Sequence, residues 1–333
     1  MKPPPLRAVP GRLRVEIGKW KNILRARLRP AIALDEREAV RRPKTIALVG
    51  ILKDEDPFVD EWVAYHRLLG VEHFYLYDHD PRLPLKRLLD RHRRYVTVTD
   101  WLVRHGDHSR HRGYSAQVKA YNHYLENYSR HDRWAAFIDA DEFIVLRKHS
   151  NLQDFLRERD GCCAVSLNWF NFGHNGFYDD PTGLIVESLT RRAADASRTL
   201  KTISKNECVK DFVNPHYPIL ADGCRRADGN GRALSTPLEG DDRHAFNEHY
   251  DGIGDTACIH HYRCRSFRNW MRRPKRGSVD GVTSAAYWQT REETCLERCV
   301  TVVAKTDNEV EDLTLARHAP AIRSFLDRTE TAA

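Results

Sequence analysis

Between residues 45 and 138, short apolar runs alternate with stretches of helical spacing, and that alternation restricts the chain to few architectures. Residues 45–52 (TIALVGIL), 73–77 (HFYLY), 95–101 (YVTVTDW) and 134–138 (WAAFI) read as strands. After the first of them, Phe58, Trp62, Tyr65 and Leu69 keep helical spacing behind Asp56-Pro57, which reads as an N-cap followed by proline at the first helical position. Residues 85–89 read as a second helix. Residues 115–128, with Val118, Tyr121, Tyr124 and Leu125, read as a third. Strands separated by helices need crossover connections, so the predicted fold is α/β, with a mostly parallel twisted sheet flanked by helices. Such sheets bind ligands beyond the C-terminal ends of their strands.

The fourth strand runs directly into three acids, Asp139, Asp141 and Glu142, in the segment FIDADEF (residues 137–143). On an extended segment Asp139 and Asp141 would share one face, about 7 Å apart. Two carboxylates so placed are relieved by proton uptake, by a basic partner or by a divalent cation. Hard cations such as Mg²⁺ and Mn²⁺ take oxygen ligands and are often shared with substrate phosphates. One carboxylate would then hold the metal while the other meets a ribose or a bound water. Glu142 is expected to orient the turn or to hydrogen-bond a ligand residue. The plainer reading is a turn in which one Asp caps a helix and the others are solvated.

Beyond residue 150 the pattern weakens. One helix (151–159) and one strand (163–169) are legible, followed by a loop-rich stretch to about residue 260 and partly helical segments after it. With 41% hydrophobic and 10% aromatic residues in 333, the chain can bury a real core. It has neither an apolar stretch of membrane-spanning length nor an N-terminal apolar segment of the secretory kind, so a cytoplasmic location is expected. Residues 1–30 carry nine Lys/Arg against Glu16, a local charge of +8, which leaves −1 for the rest of a chain whose net charge is +7. Nucleic-acid binding is therefore not expected of the body. Leu13, Ile17, Trp20, Leu24 and Leu28 give the arm the pattern of a basic amphipathic helix. Such a helix either lies on an anionic membrane surface, here the inner face, or packs on the body or a partner. The eight cysteines include no CxxC pair and read as reduced thiols; Cys224, Cys258, His260 and Cys264 are too irregularly spaced to read well as a zinc site.

The acid cluster also carries a resemblance. Asp139-Ala140-Asp141 behind an apolar strand resembles the DxD motif of GT-A glycosyltransferases. A longer ordered set is similar to family 92 glycosyltransferases and their bacterial family 2-like relatives: Lys53-Asp54-Glu55, Glu61-Trp62, Tyr65-His66, Gly70-Val71, Tyr77-Asp78, Gln117, Asn122, residues 134–143, Trp169, Phe172-Gly173, Gly176, Lys201, His216, His261-Tyr262, Ser266 and Arg276-Gly277. The resemblance implies a GT-A type fold, a nucleoside-diphosphate (UDP) sugar donor with galactose favoured, Mn²⁺ or Mg²⁺, and inversion at the anomeric carbon. The acceptor would be a glycan, glycolipid or polysaccharide. It implies that Asp139, Asp141 and His261 hold the metal and that Glu55, Asp78, Gln117 and Asp139 line the nucleotide pocket. Lys201 and Arg276 would oppose diphosphate charge. Trp169, Phe172, Gly173 and His216 would face the substrate. The base that takes the acceptor proton would be Glu187 or Asp241, with Asp242 a further rival. The expected organisation is a basic arm (1–44), a nucleotide-sugar-binding half (45–150), an acceptor and metal-completing half with a loop-rich region (151–280), and a helical tail (281–333).

Two other readings stand beside this one. A DxD phosphotransferase of the haloacid dehalogenase type would want its motif on the first strand and Thr or Val after the second Asp, where this chain has Glu142. An inactive nucleotide- or sugar-binding module of the same fold would keep the same residues. His260 and His261 are adjacent, so on a strand they face opposite ways, and one of them reads as a core histidine.

Overall fold

The computed structural model describes residues 46–53, 58–79, 84–102, 115–235, 245–249, 251–276, 296–297, 299 and 303–330. The basic arm, Asp56-Pro57, Glu55 and Asp241-Asp242 lie outside them. The strands are β1 (Ile46–Leu52), β2 (His73–Asp78), β3 (Val96–Asp100), β4 (Trp134–Phe137), β5 (Glu142–Leu146), β6 (Ala164–Asn171), β7 (Arg191–Arg192), β8 (Leu200–Lys205), β9 (Val209–Asn214), β10 (Tyr217–Leu220), β11 (Arg226–Asp228), β12 (Ala233–Leu234), β13 (Ala257–His261) and β14 (Val310–Glu311). The longer helices are α1 (Val59–Leu69), α2 (Ala116–Asn127), α3 (Leu152–Arg157), α4 (Phe267–Arg276) and α5 (Ala319–Glu330).

The main sheet runs β12-β11-β6-β8-β4-β1-β2-β3, with β13 attached to β6 and β5 attached to β13. Strands β3, β2, β1 and β4 are mutually parallel. Strand β8 enters antiparallel between β4 and β6. The fold is thus α/β, with a largely parallel sheet flanked by helices, as the alternation predicts. Strand β1 shows why its sequence is apolar throughout. Ile46, Leu48 and Leu52 enter one core with Trp62 and Tyr65 of α1, while Ala47 and Val49 enter another with Tyr121 and Tyr124 of α2. A strand covered on both faces has no polar side.

Local signals set the helix ends. Ser115 caps α2, its hydroxyl accepting from Val118 N at 3.3 Å, and Asn151 caps α3 through Asp154 N. Helix α1 runs from Val59, with Phe58 at the cap position and no side-chain cap. It ends at Gly70, whose φ of 110° is left-handed and whose missing side chain leaves room for Gln153. Within the stretch expected to be loop-rich, residues 185–188 form one helical turn. No helix among the described residues is long and apolar enough to cross a membrane.

Helix α1 holds β5 by three side chains. Trp62 Nε1 donates to Glu142 O (2.7 Å), Tyr65 Oη to Ile144 O (2.6 Å), and His66 Nε2 accepts from Ile144 N (3.2 Å). His66 Nδ1 donates to Trp62 O at 2.8 Å. That arrangement needs a neutral ring, and burial keeps it neutral by lowering the His66 pKa to about 3. In the unfolded chain the same ring titrates near 6.5. Between those values the unfolded state binds the extra proton, so stability is full above about pH 6.5 and declines as pH falls towards the folded value. Denaturant unfolding at pH 7 and pH 5 should show lower stability at pH 5, and His66→Gln should reduce that difference. An unchanged pH slope in the variant would remove His66 from the account.

Candidate active site

Strand β4 carries the acid cluster to the C-terminal edge of the parallel strands, where Ile138 N still pairs with Val49 O of β1. The chain then turns. Glu142 N donates to Asp139 O at 3.1 Å, and the Glu142 carboxylate accepts from Asp139 N at 2.8 Å. Asp139 and Asp141 therefore do not share one face of an extended segment. The doubly closed turn sends them to different partners.

Asp139 faces α2 and β8. Its Oδ1 accepts from Gln117 Nε2 (2.5 Å) and lies 2.9 Å from Lys201 Nζ. Gln117 also donates to Tyr121 Oη, one turn along α2. Lys201 is 1% exposed and reaches Glu142 as well, at 3.7 Å. Burial alone would lower its pKa, but Asp139 and Glu142 outweigh that and raise it, so the ammonium stays charged. Burial pushes Glu142 well above the usual carboxylate range, with Lys201 acting against that and Asp139 and Asp141 adding to it. Lys201, expected to oppose diphosphate charge, is paired below the surface with Asp139 and reaches Glu142.

Asp141 faces β13. That strand lies between β5 and β6 in a register that puts His261 opposite both Glu142 and Asn171. Tyr262 N donates to Asp141 O at 2.8 Å and fixes the turn against the end of β13. His261 Nε2 lies 3.6 Å from Asp141 Oδ1, while His261 Nδ1 donates to Asn171 Oδ1 at 3.2 Å. That bond turns Nε2 towards Asp141. His260 points the other way, into the core against Phe172, and burial lowers its pKa to about 3.

Trp169 lies beside this pair, its ring 4.3 Å from that of His261 and 5.6 Å from that of His216. Its indole N–H is buried with no hydrogen-bond partner among the described residues. His216 donates through Nδ1 to Leu200 O at 2.9 Å. Burial, with the charge of Lys201, lowers its pKa to about 4 and keeps it neutral. The fold thus brings together Gln117, Asp139, Asp141, Trp169, Lys201, His216 and His261.

Other expected residues stand differently. Asp78 ends β2 and accepts from Leu85 N at 2.8 Å, so it caps the following turn. Phe172 is fully buried against His260 and Tyr262, a core ring rather than an acceptor-facing one. A side chain at Gly173 would collide with Asn308 at 2.5 Å, so the missing Cβ admits Asn308 and not a sugar. Glu187 gives its carboxylate to Arg323 of α5. Arg276 is the last residue of α4, and its side chain lies outside the described residues. Asn171 was not singled out by any motif. Its only sequence signal is its place two residues after Trp169, on the same face of β6.

A model of glycosyltransferase family 92 matches residues 52–228 of this chain, more than half of it. The chain belongs to glycosyltransferase family 92. The family match takes in Gln117, the turn from Asp139 to Glu142, Trp169, Lys201 and His216 and ends before His261. A family 92 protein of Ricinus communis is 26% identical over 227 residues, covering 62% of this chain and 38% of that protein. One of Oryza sativa subsp. japonica is 23% identical over 206 residues, covering 58% and 33%. The chain thus spans only about a third to two-fifths of the length of these curated relatives. Among solved structures, S. aureus TarS 1–349 is 11% identical with a TM-score of 0.33, covering 78% of this chain and 73% of that one. Its complex with UDP has the same identity and a TM-score of 0.36, covering 76% and 71%. Superpositions that loose decide nothing about fold or site.

Removing one partner of a buried ion pair leaves an uncompensated charge, at about 3–5 kcal/mol. Because Asp139 is partly exposed, Lys201→Met should lower the unfolding free energy in urea by less than that, and adding Asp139→Asn should recover part of the loss. Two independent, additive effects would show that the pair is not coupled.

Proposed function

We propose that this family 92 chain is a GT-A type, metal-dependent inverting glycosyltransferase. It moves a hexose from a UDP-sugar, with UDP-galactose favoured by the family resemblance, to a hydroxyl of a glycan, polysaccharide or glycolipid. The observation that carries the reading is the Asp141–His261 pair at the C-terminal edge of the parallel strands. A carboxylate and an imidazole nitrogen 3.6 Å apart, the imidazole oriented through its other nitrogen by Asn171, fit a divalent cation. Asp141 and His261 would hold Mn²⁺ or Mg²⁺, and substrate oxygens and water would fill the remaining positions. When bound, the cation supplies Lewis-acid stabilisation of the charge growing on the departing diphosphate.

The chain's own residues set the rest. Lys201 and Gln117 hold Asp139 in place, with 36% of its side chain exposed towards a nucleotide. Trp169 offers a partly exposed ring on which a sugar can stack. His216, neutral at physiological pH, offers a hydrogen bond without adding charge beside Lys201. Of the two carboxylates expected as base, Glu187 is committed to Arg323, so the proposal keeps Asp241 in that role. The basic arm is proposed to rest on anionic lipid at the inner membrane face.

The test is a donor panel, with hydrolysis and binding measured with Mn²⁺ and with EDTA. Metal-dependent binding of a UDP-sugar, lost in Asp141→Asn, is the expected result. If no nucleotide sugar binds in the presence of metal, the reading fails. Asn171→Ala should weaken Mn²⁺ by about 10- to 100-fold, because His261 loses its orienting partner. Deleting residues 1–30 should lower co-sedimentation with anionic vesicles while leaving donor hydrolysis unchanged. Equal co-sedimentation would remove the anchor.

A further inference from the structure

At the far end of the same strands, three thiols meet. Cys163 directly precedes β6, Cys208 ends the short turn between β8 and β9, and Cys224 lies between β10 and β11. Their sulfurs all lie within 4.8 Å of one another. These are not the residues that spacing singles out: Cys224 joins neither Cys258 nor Cys264, which are buried elsewhere.

The three segments are tied together by their backbones. Cys163 N donates to Arg225 O and Lys205 N to Cys163 O, each at 2.8 Å. Ala221 N donates to Cys208 O at 2.8 Å, and Cys224 N to Ala221 O at 3.1 Å. The thiols are therefore placed by the sheet and its turns, not by their own flexibility. Cys163 and Cys224 are partly buried and open the cluster to an ion, while Cys208 lies deeper. None is joined to another by a disulfide. Bonds of about 2.3 Å to a tetrahedral zinc place sulfurs about 3.8 Å apart, a spacing that this cluster nearly has already.

We propose that Cys163, Cys208 and Cys224 form a zinc-binding site that clips β6, the β8–β9 connection and the β10–β11 turn together. Soft thiolates select Zn²⁺ over the hard Mg²⁺ or Mn²⁺ of the candidate active site. No fourth Cys, His, Asp or Glu joins the group among the described residues, so water takes the fourth position. Each thiol gives its proton to solvent as its bond to zinc forms, so three protons leave and the filled site carries one negative charge. Zinc must displace those protons, so affinity should rise with pH. Small apolar filler at the rim of the α2 core is the alternative role for these side chains.

The test uses the full chain, reduced, stripped with chelator and titrated with Co²⁺ and then Zn²⁺. About one Co²⁺ per chain is expected, with the thiolate-to-cobalt charge-transfer band of a tetrahedral site. Zinc should displace it, and affinity should be higher at pH 8 than at pH 6. Cys208→Ser should lose the band, and Cys162→Ser, next to the cluster but outside it, should keep it. Alkylation followed by mass spectrometry reads the same site in the unaltered chain. Zinc should slow modification of Cys163, Cys208 and Cys224 and leave Cys162 unchanged. Absence of the band from the unaltered chain, its persistence in Cys208→Ser, or equal alkylation with and without zinc would each overturn the site.

Discussion

The ammonium group of Lys201, 1% exposed at the centre of the sheet, sets the terms for everything around it. A charge that deep is tolerated only with carboxylates in contact. Strand β8 delivers the ammonium and the turn after β4 delivers the acids, so the antiparallel pairing of β8 with β4 is also an electrostatic requirement. Asp139 is drawn towards Lys201 and Gln117. Glu142 is drawn under the turn, where it also accepts the Asp139 N–H. With two of the three acids so engaged, Asp141 is left on the side of β13, facing His261. The three acids that adjoin in the sequence are thus divided between the surroundings of one internal cation and the side of one imidazole.

The turn keeps this shape because β5 is held from behind. After β4 the chain leaves the main path of the sheet, and among the described residues β5 pairs with β13 alone. Its other edge would present bare backbone groups. Helix α1 supplies the missing partners through Trp62, Tyr65 and His66, and Glu61 of the same helix accepts from Ile185 N and Val186 N. Glu61-Trp62 and Tyr65-His66 are among the residues that carry the family resemblance. Their contacts are structural: they brace the strand that follows the acidic turn.

Elements whose cause is local were legible in the sequence. Strand β1 is apolar because both of its faces are covered, and α2 starts at Ser115 because a hydroxyl caps it. The strand end bearing the acids was legible for the same reason. What escaped depends on partners far along the chain. Asp139 and Asp141 part company because Glu142 closes the turn with both its backbone and its side chain. The anion opposite Lys201 is a carboxylate rather than a diphosphate, a difference that no spacing encodes. Phe172-Gly173 reads like an open turn, yet Phe172 fills the core and Asn308, more than a hundred residues on, occupies the space beside the glycine. Glu187, expected as a base, sits on one helical turn that hands its carboxylate to Arg323 of the distant α5.

Strand β6 links the two ends of the molecule. Trp169 and Asn171 share one of its faces, opposite Ile259 and His261 of β13. Phe170 and Phe172 alternate with them and turn into the core with His260. Since side chains alternate with a period of two, a slip of one residue between β6 and β13 would exchange the two sets. His260 would then meet Asp141, and Asn171 would lose the imidazole that it orients. Register is therefore what distinguishes the two adjacent histidines, one packed in the core and the other beside an acid. The start of β6 bears on the same point. Its first backbone bonds, around Cys163, fix β6 against β8 and the β10–β11 turn, and a tie at that end resists the slip that would dismantle the pair at the other.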